Sequence, residues 1–243
     1  MSEDTLPGHQ IDPLEARLVV FRQHPEAKGF QALRQELRQA GRGELLAELC
    51  ATWAQHERDP VRAADAWSEA GEAMLVLGET ATAIEYLRTA IDLDPVNDRA
   101  VDRLLEIVEP TDPAHAVEII EIELGELAKP TRSDASRRKA DVIARRAAQH
   151  RRAAELWNVY LGRVDRALWH WQQAWKLEPH DTEALDAARQ LYHSLGDDAM
   201  VAKLYQAELE VLGTASATAG KRAQLRLELG TLALRGKDLE TAA

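Results

Sequence analysis

Residues 64–97, ADAWSEAGEAMLVLGETATAIEYLRTAIDLDPVN, constrain the fold of this 243-residue chain more than any other stretch. Trp67 and Gly71 open it one helical turn apart, and Gly78 interrupts it midway. Ala83, Leu87 and Ala90 then recur at helical spacing, and Pro95 closes it. Two helices joined by a glycine turn satisfy this pattern. The small residues Gly71, Ala83 and Ala90 have a geometric use, because helices approach to about 8–10 Å only where side chains are small. Such a pair cannot bury its apolar face alone, so stacked neighbours are required.

A second copy supports stacking. Gly162, Ala167, Trp171, Ala174 and Pro179 reproduce Gly78, Ala83, Leu87, Ala90 and Pro95 at one constant offset of 84 residues. In its first helix Glu155 stands where the pattern has glycine. Helical sequence extends back from there, which predicts one long helix over 134–161.

Helical periodicity fills most of the remaining chain, without a strand-like alternation. A helix is expected over 12–23, with Leu14, Leu18 and Phe21 on one stripe, ending before Pro25. A worn pair follows over 26–40 and 43–56. The first helix of the clear pair is expected from Pro60, since proline suits the first helical position. A degenerate pair spans 96–108 and 113–128, with Thr111 or Asp112 able to cap its second helix. Lys129-Pro130-Thr131-Arg132-Ser133 is the expected hinge. Helices over 182–195 and 198–212 form a further pair. A last helix over 217–234 should be followed by its partner from Lys237, so the chain reads as part of a longer repeat protein.

The pattern of 64–97 resembles the tetratricopeptide (TPR) repeat, and 163–212 resembles it well. Elsewhere the likeness is loose. The resemblance implies an all-α, right-handed superhelical solenoid of antiparallel helix pairs, whose concave groove binds protein segments without catalysis. Domain boundaries are expected at 1–25, 26–132, 133–213 and 214–243. TPR domains that clamp a chaperone's C-terminal carboxylate use Lys, Arg and Asn on the groove side of their first helices. Here those positions hold Asp65, Ser68 and Glu72, and Glu183, Asp186 and Gln190, so that function is not expected.

The net charge of −11 and pI near 5.3 argue against non-specific nucleic-acid binding, which needs a basic surface. No apolar run reaches the roughly 20 residues of a membrane span, and MSEDTLPGHQ is not a secretory signal. These features predict a cytoplasmic protein. Arginine supplies 23 of the 30 basic residues, and alanine is abundant, which points to a GC-rich bacterial genome. The single cysteine, Cys50, lies in the apolar run LLAELCATW and reads as a small buried hydrophobe. Nucleotide-binding glycine loops, H-E-x-x-H and G-x-S-x-G are absent from the sequence. His56-Glu57-Arg58-Asp59 looks superficially like a kinase catalytic loop but has no companion motif. No catalytic residue, cofactor or metal is therefore expected, and His150, His170, His180 and His193 are assigned to surface or groove positions.

Charge points to a candidate site. Residues 132–166 hold ten basic and four acidic side chains, against 20 and 37 in the remainder. Arg138, Arg145 and Arg152 recur every seven residues and share a helix face. In the repeat frame Arg145, Gln149 and Arg152 look into the groove, and Trp169 points outward as an interface anchor. The expected partner is a protein with an acidic segment. On this reading the double change Arg145→Glu, Arg152→Glu weakens binding and leaves the helices intact. Two other roles fit the same sequence. One is self-assembly through the open C-terminal end, giving a homo-oligomer. The other is a regulatory or sensor part of a larger protein whose effector domain lies elsewhere.

Overall fold

The computed structural model describes residues 12–129, 136–180, 182–214 and 218–242, with the side chains of 136–138 and 236–242 excepted. Among the described residues there are twelve α-helices and no strand. They are α1 (Pro13–Gln23), α2 (Ala27–Gln39), α3 (Gly43–His56), α4 (Pro60–Val76), α5 (Thr80–Leu93), α6 (Asp98–Val108), α7 (Pro113–Leu127), α8 (Ser136–Glu155), α9 (Val164–Leu177), α10 (Glu183–Ser194), α11 (Asp198–Leu212) and α12 (Ala219–Ala242). By its internal contacts the chain divides into two compact units, Met1–Thr111 and Asp112–Ala243. That division falls between α6 and α7. Most of the hinge expected at 129–133 lies outside the described residues.

Helix starts follow local chemistry. Asp12, Asp59 and Asp112 each precede a proline at the first helical position, and each carboxylate accepts a bond from an otherwise unpaired backbone N–H. The donors are Leu14 (2.9 Å), Val61 (3.0 Å) and His115 (3.1 Å). Of the two candidate caps for α7, Asp112 is therefore the one used. The pairs α2/α3, α4/α5, α8/α9 and α10/α11 all turn at a glycine of positive φ, from 62° to 82°. At Gly78 (φ 82°) the N–H of Glu79 returns to the Met74 carbonyl, closing α4 in a conformation that a side chain would strain.

In the first unit α4 packs between α3 and α5. Ala83, Leu87 and Ala90 are fully buried, and a Cβ on Gly71 would stand 2.8 Å from Leu87 Cγ. The close approach of α4 and α5 thus leaves no room for a side chain at position 71. Leu18, Phe21, Phe30, Leu33, Leu37, Leu49 and Cys50 complete this core, with Trp53 stacked on Phe30 at 5.1 Å. In the second unit Ala167, Trp171 and Ala174 occupy the corresponding buried positions of α9. The offset of 84 residues relates equivalent sites. The long helix is present as α8, which continues into a π-helical turn, Leu156–Tyr160.

One expectation at the end of the chain fails. α12 runs unbroken from Ala219 to Ala242, so no second helix begins at Lys237. Leu225 is buried against the unit, whereas Leu227 and Leu234 are 70% and 65% exposed on another side of α12.

Candidate partner-binding surfaces

In the first unit α2, α4 and α6 frame a cleft of about 470 Å³. Its aromatic wall is the stacked pair Phe30 and Trp53, and the Arg34 guanidinium lies 5.8 Å from the Phe30 ring centre. Arg62, Asp65, Glu69 and Arg99 supply polar groups around it. Glu69 is buried, and Arg34 and Arg38 bring it two guanidinium groups at 2.5 and 2.6 Å. Glu72 is bridged by Arg99 and Arg103. Of the acidic positions read from the sequence as open groove in this unit, Glu72 is thus covered by two arginines of α6, whereas Asp65 stays exposed. Ser68, also assigned to the groove, is fully buried. Its hydroxyl lies 2.8 Å from the Ala64 carbonyl and 3.0 Å from Asn97 Oδ1, and the Asn97 amide donates to Asp65 at 2.9 Å.

The basic helix α8 behaves differently from its charge pattern. Arg145 donates from Nε (2.7 Å) and Nη2 (3.2 Å) to Glu123 of α7, and Gln149 donates to the same carboxylate at 2.6 Å. Glu123 is fully buried and Gln149 is 2% exposed. Gln149 is therefore buried and does not look into an open groove as its place in the repeat predicts, and Arg145 is drawn inward as well. The physical reason is Glu123, which sits on the buried stripe of α7 and needs donors once water is excluded. Arg152 stays half-buried, and the Arg138 side chain lies outside the described residues. Buried Glu208 repeats the device, held by Arg189 and by Lys221 at 2.7 Å.

Trp169 is 50% exposed, as its outward position in α9 predicted. The indole is nonetheless fixed, making edge contacts with His170 at 4.7 Å and His150 at 5.7 Å between ring centres. These two histidines are buried, contrary to the surface or groove position expected of them. The α8/α9 hairpin brings residues twenty apart together, with Nδ1 atoms at 3.0 Å. One ring must then donate and the other accept, so the accepting ring is neutral. Burial pushes each down to about 4. Arg146 adds to this at His150, and His150 and Arg166 add to it at His170. Glu121 of α7 approaches His170 Nε2 at 3.8 Å.

A pH dependence follows. An unfolded imidazole takes its proton near pH 6.5 and these folded ones only near 4, so the unfolded state binds more protons between those limits. Acidification through that window should cost stability, up to about 3 kcal/mol per imidazole. Urea midpoints at pH 7, 5.5 and 4 measure it. The His150→Leu, His170→Leu variant should show a flatter acid decline than the wild type, and an equal decline would show that the pair does not control it.

Burial raises the Cys50 thiol to about 12, with the Glu69 charge adding to the effect, which leaves little thiolate at neutral pH. Among the described residues no group of three or more His, Cys, Asp or Glu is placed to hold a metal ion. No helix among them is long and apolar enough to cross a membrane.

No family model and no curated protein sequence matches the chain. Solved structures do. The assembly chaperone of RpL4, Acl4, aligns with a TM-score of 0.52 and 16% identity over 84% of each chain. The C-terminal part of a TPR repeat-containing protein from Cytophaga hutchinsonii aligns at 0.51 and 11% identity, over 82% of this chain and 72% of its own. MamA from Desulfovibrio magneticus RS-1 overlaps less closely, at 0.47 and 17% identity over 76% and 94%. At these identities the likeness speaks to architecture. With its glycine-turned antiparallel pairs and equivalent buried positions, this chain has the all-α, TPR-like fold.

Proposed function

We propose that the chain is a non-enzymatic protein-interaction scaffold of the cytoplasm, holding a segment of a partner protein against the first helices of its pairs. The observation that supports this reading most is the cleft framed by α2, α4 and α6. It offers the stacked Phe30 and Trp53 as an apolar seat, and beside them arginines and carboxylates already held in place by one another. Such preorganised polar groups orient a bound segment at little entropic cost. In the second unit Arg145 and Gln149 serve Glu123, and the exposed anchor that remains for a partner segment is Trp169.

The test is a plug. Gln31 is an exposed residue lining the cleft, and Gln31→Trp should obstruct it without touching the core. Capture of the native partner should weaken at least tenfold with an unchanged melting temperature, while Glu85→Trp on the exposed side of α5 leaves capture intact. Undiminished capture by a folded Gln31→Trp variant would contradict the proposal.

Self-association is a second reading, favoured by the uncovered Leu227 and Leu234 on α12. Sedimentation at rising concentration should then show a dimer that Leu227→Glu, Leu234→Glu abolishes. A wild type that stays monomeric at high concentration removes this reading.

A further inference from the structure

The open side of α9 carries a second candidate surface, separate from the cleft. Arg166, Trp169, Gln172 and Lys176 follow one another along it at steps of three, three and four residues, and all are exposed. The opposite side, Ala167, His170, Trp171 and Ala174, is buried. Arg166 and Lys176 lie ten residues apart, about 15 Å along the axis. Among the described residues neither has a carboxylate within ion-pair distance. Asp165 is the one acidic residue of α9, and Arg163 engages it at 3.0 Å. The side therefore presents two uncompensated positive charges and, between them, an indole that folding leaves half exposed. His150 and His170 already hold that indole in one orientation, so docking onto it would cost little side-chain entropy.

We infer that this side of α9 docks an acidic amphipathic helix of a partner protein. An apolar side chain of that helix covers Trp169, and carboxylates on the same face reach Arg166 and Lys176. A partner helix meets all three points with Glu at position 1, Leu at 4 and Glu at 11, or with the reverse order, because these positions share one face. Charge complementarity governs encounter and register, and the buried tryptophan supplies most of the affinity. This surface lies outside the cleft on which the scaffold proposal rests.

A display library of 18-residue helical peptides, with randomised faces, tests it against the whole chain. Selected peptides should carry acidic residues at that spacing around one apolar residue. Trp169→Ala should weaken the best of them at least tenfold without lowering the melting temperature. Reselection on Arg166→Glu, Lys176→Glu should return Lys or Arg in the same two slots. Selected peptides without the acidic pattern, or with undiminished affinity for a folded Trp169→Ala variant, would overturn the inference. If those peptides are instead displaced by Gln31→Trp, the cleft survives as a binding site and the α9 surface does not.

Discussion

Arg145→Glu should destabilise the second unit by about 3–5 kcal/mol, the range for stranding one member of a buried ion pair. The fully buried Glu123 carboxylate takes bonds from Arg145 and Gln149, and the substitution replaces its main cation with a second negative charge. Lys176→Glu, on the exposed side of α9, should change stability by no more than about 0.5 kcal/mol. Urea denaturation of both variants decides it. Equal stabilities would mean that the arginines of α8 are solvated charge, as their heptad spacing alone allows.

Gly71→Val should cost about 3 kcal/mol, at the upper end of overpacking effects. Any Cβ at this position meets Leu87 Cγ at 2.8 Å and Cδ2 at 2.9 Å, with the Ala83 carbonyl at 3.3 Å, so the buried Leu87 side chain must shift at the α4/α5 contact. For a unit of this size the melting midpoint should fall by about 10 °C. The cost should not add to that of Leu87→Ala, because truncating the leucine vacates the space that valine needs. A double variant as unstable as the sum of the two singles would place the damage somewhere other than this contact.

The helix pairs were legible because each is announced locally. Gly41, Gly78, Gly162 and Gly196 close first helices, and Pro13, Pro60 and Pro113 open others, so boundaries needed no knowledge of the tertiary fold. Buried positions were legible for the same reason, since small residues at helical spacing mark close approach. The candidate site was legible only in part. Repetition every seven residues shows that Arg138, Arg145 and Arg152 share a face, but not what lies opposite it. A cue was present in α7, where Glu123 takes a slot on the stripe of Ala116, Ile120 and Leu124. A carboxylate on an apolar stripe demands a buried donor, and Glu69 and Glu208 follow the same rule. The His150–His170 contact had no sequence cue, because neither residue sits at a ligand-like spacing and only the hairpin joins them.

The most direct measurement is site-specific photo-crosslinking in living cells, with the probe placed in turn at positions 31, 62, 172 and 85. Positions 31 and 62 border the cleft, 172 lies on the open side of α9, and 85 faces solvent on α5. The scaffold account predicts discrete partner adducts from 31 and 62, which the Gln31→Trp plug removes from position 62, and none from 85. Adducts as strong from 85 as from 31 and 62, or none from either cleft position, would contradict it.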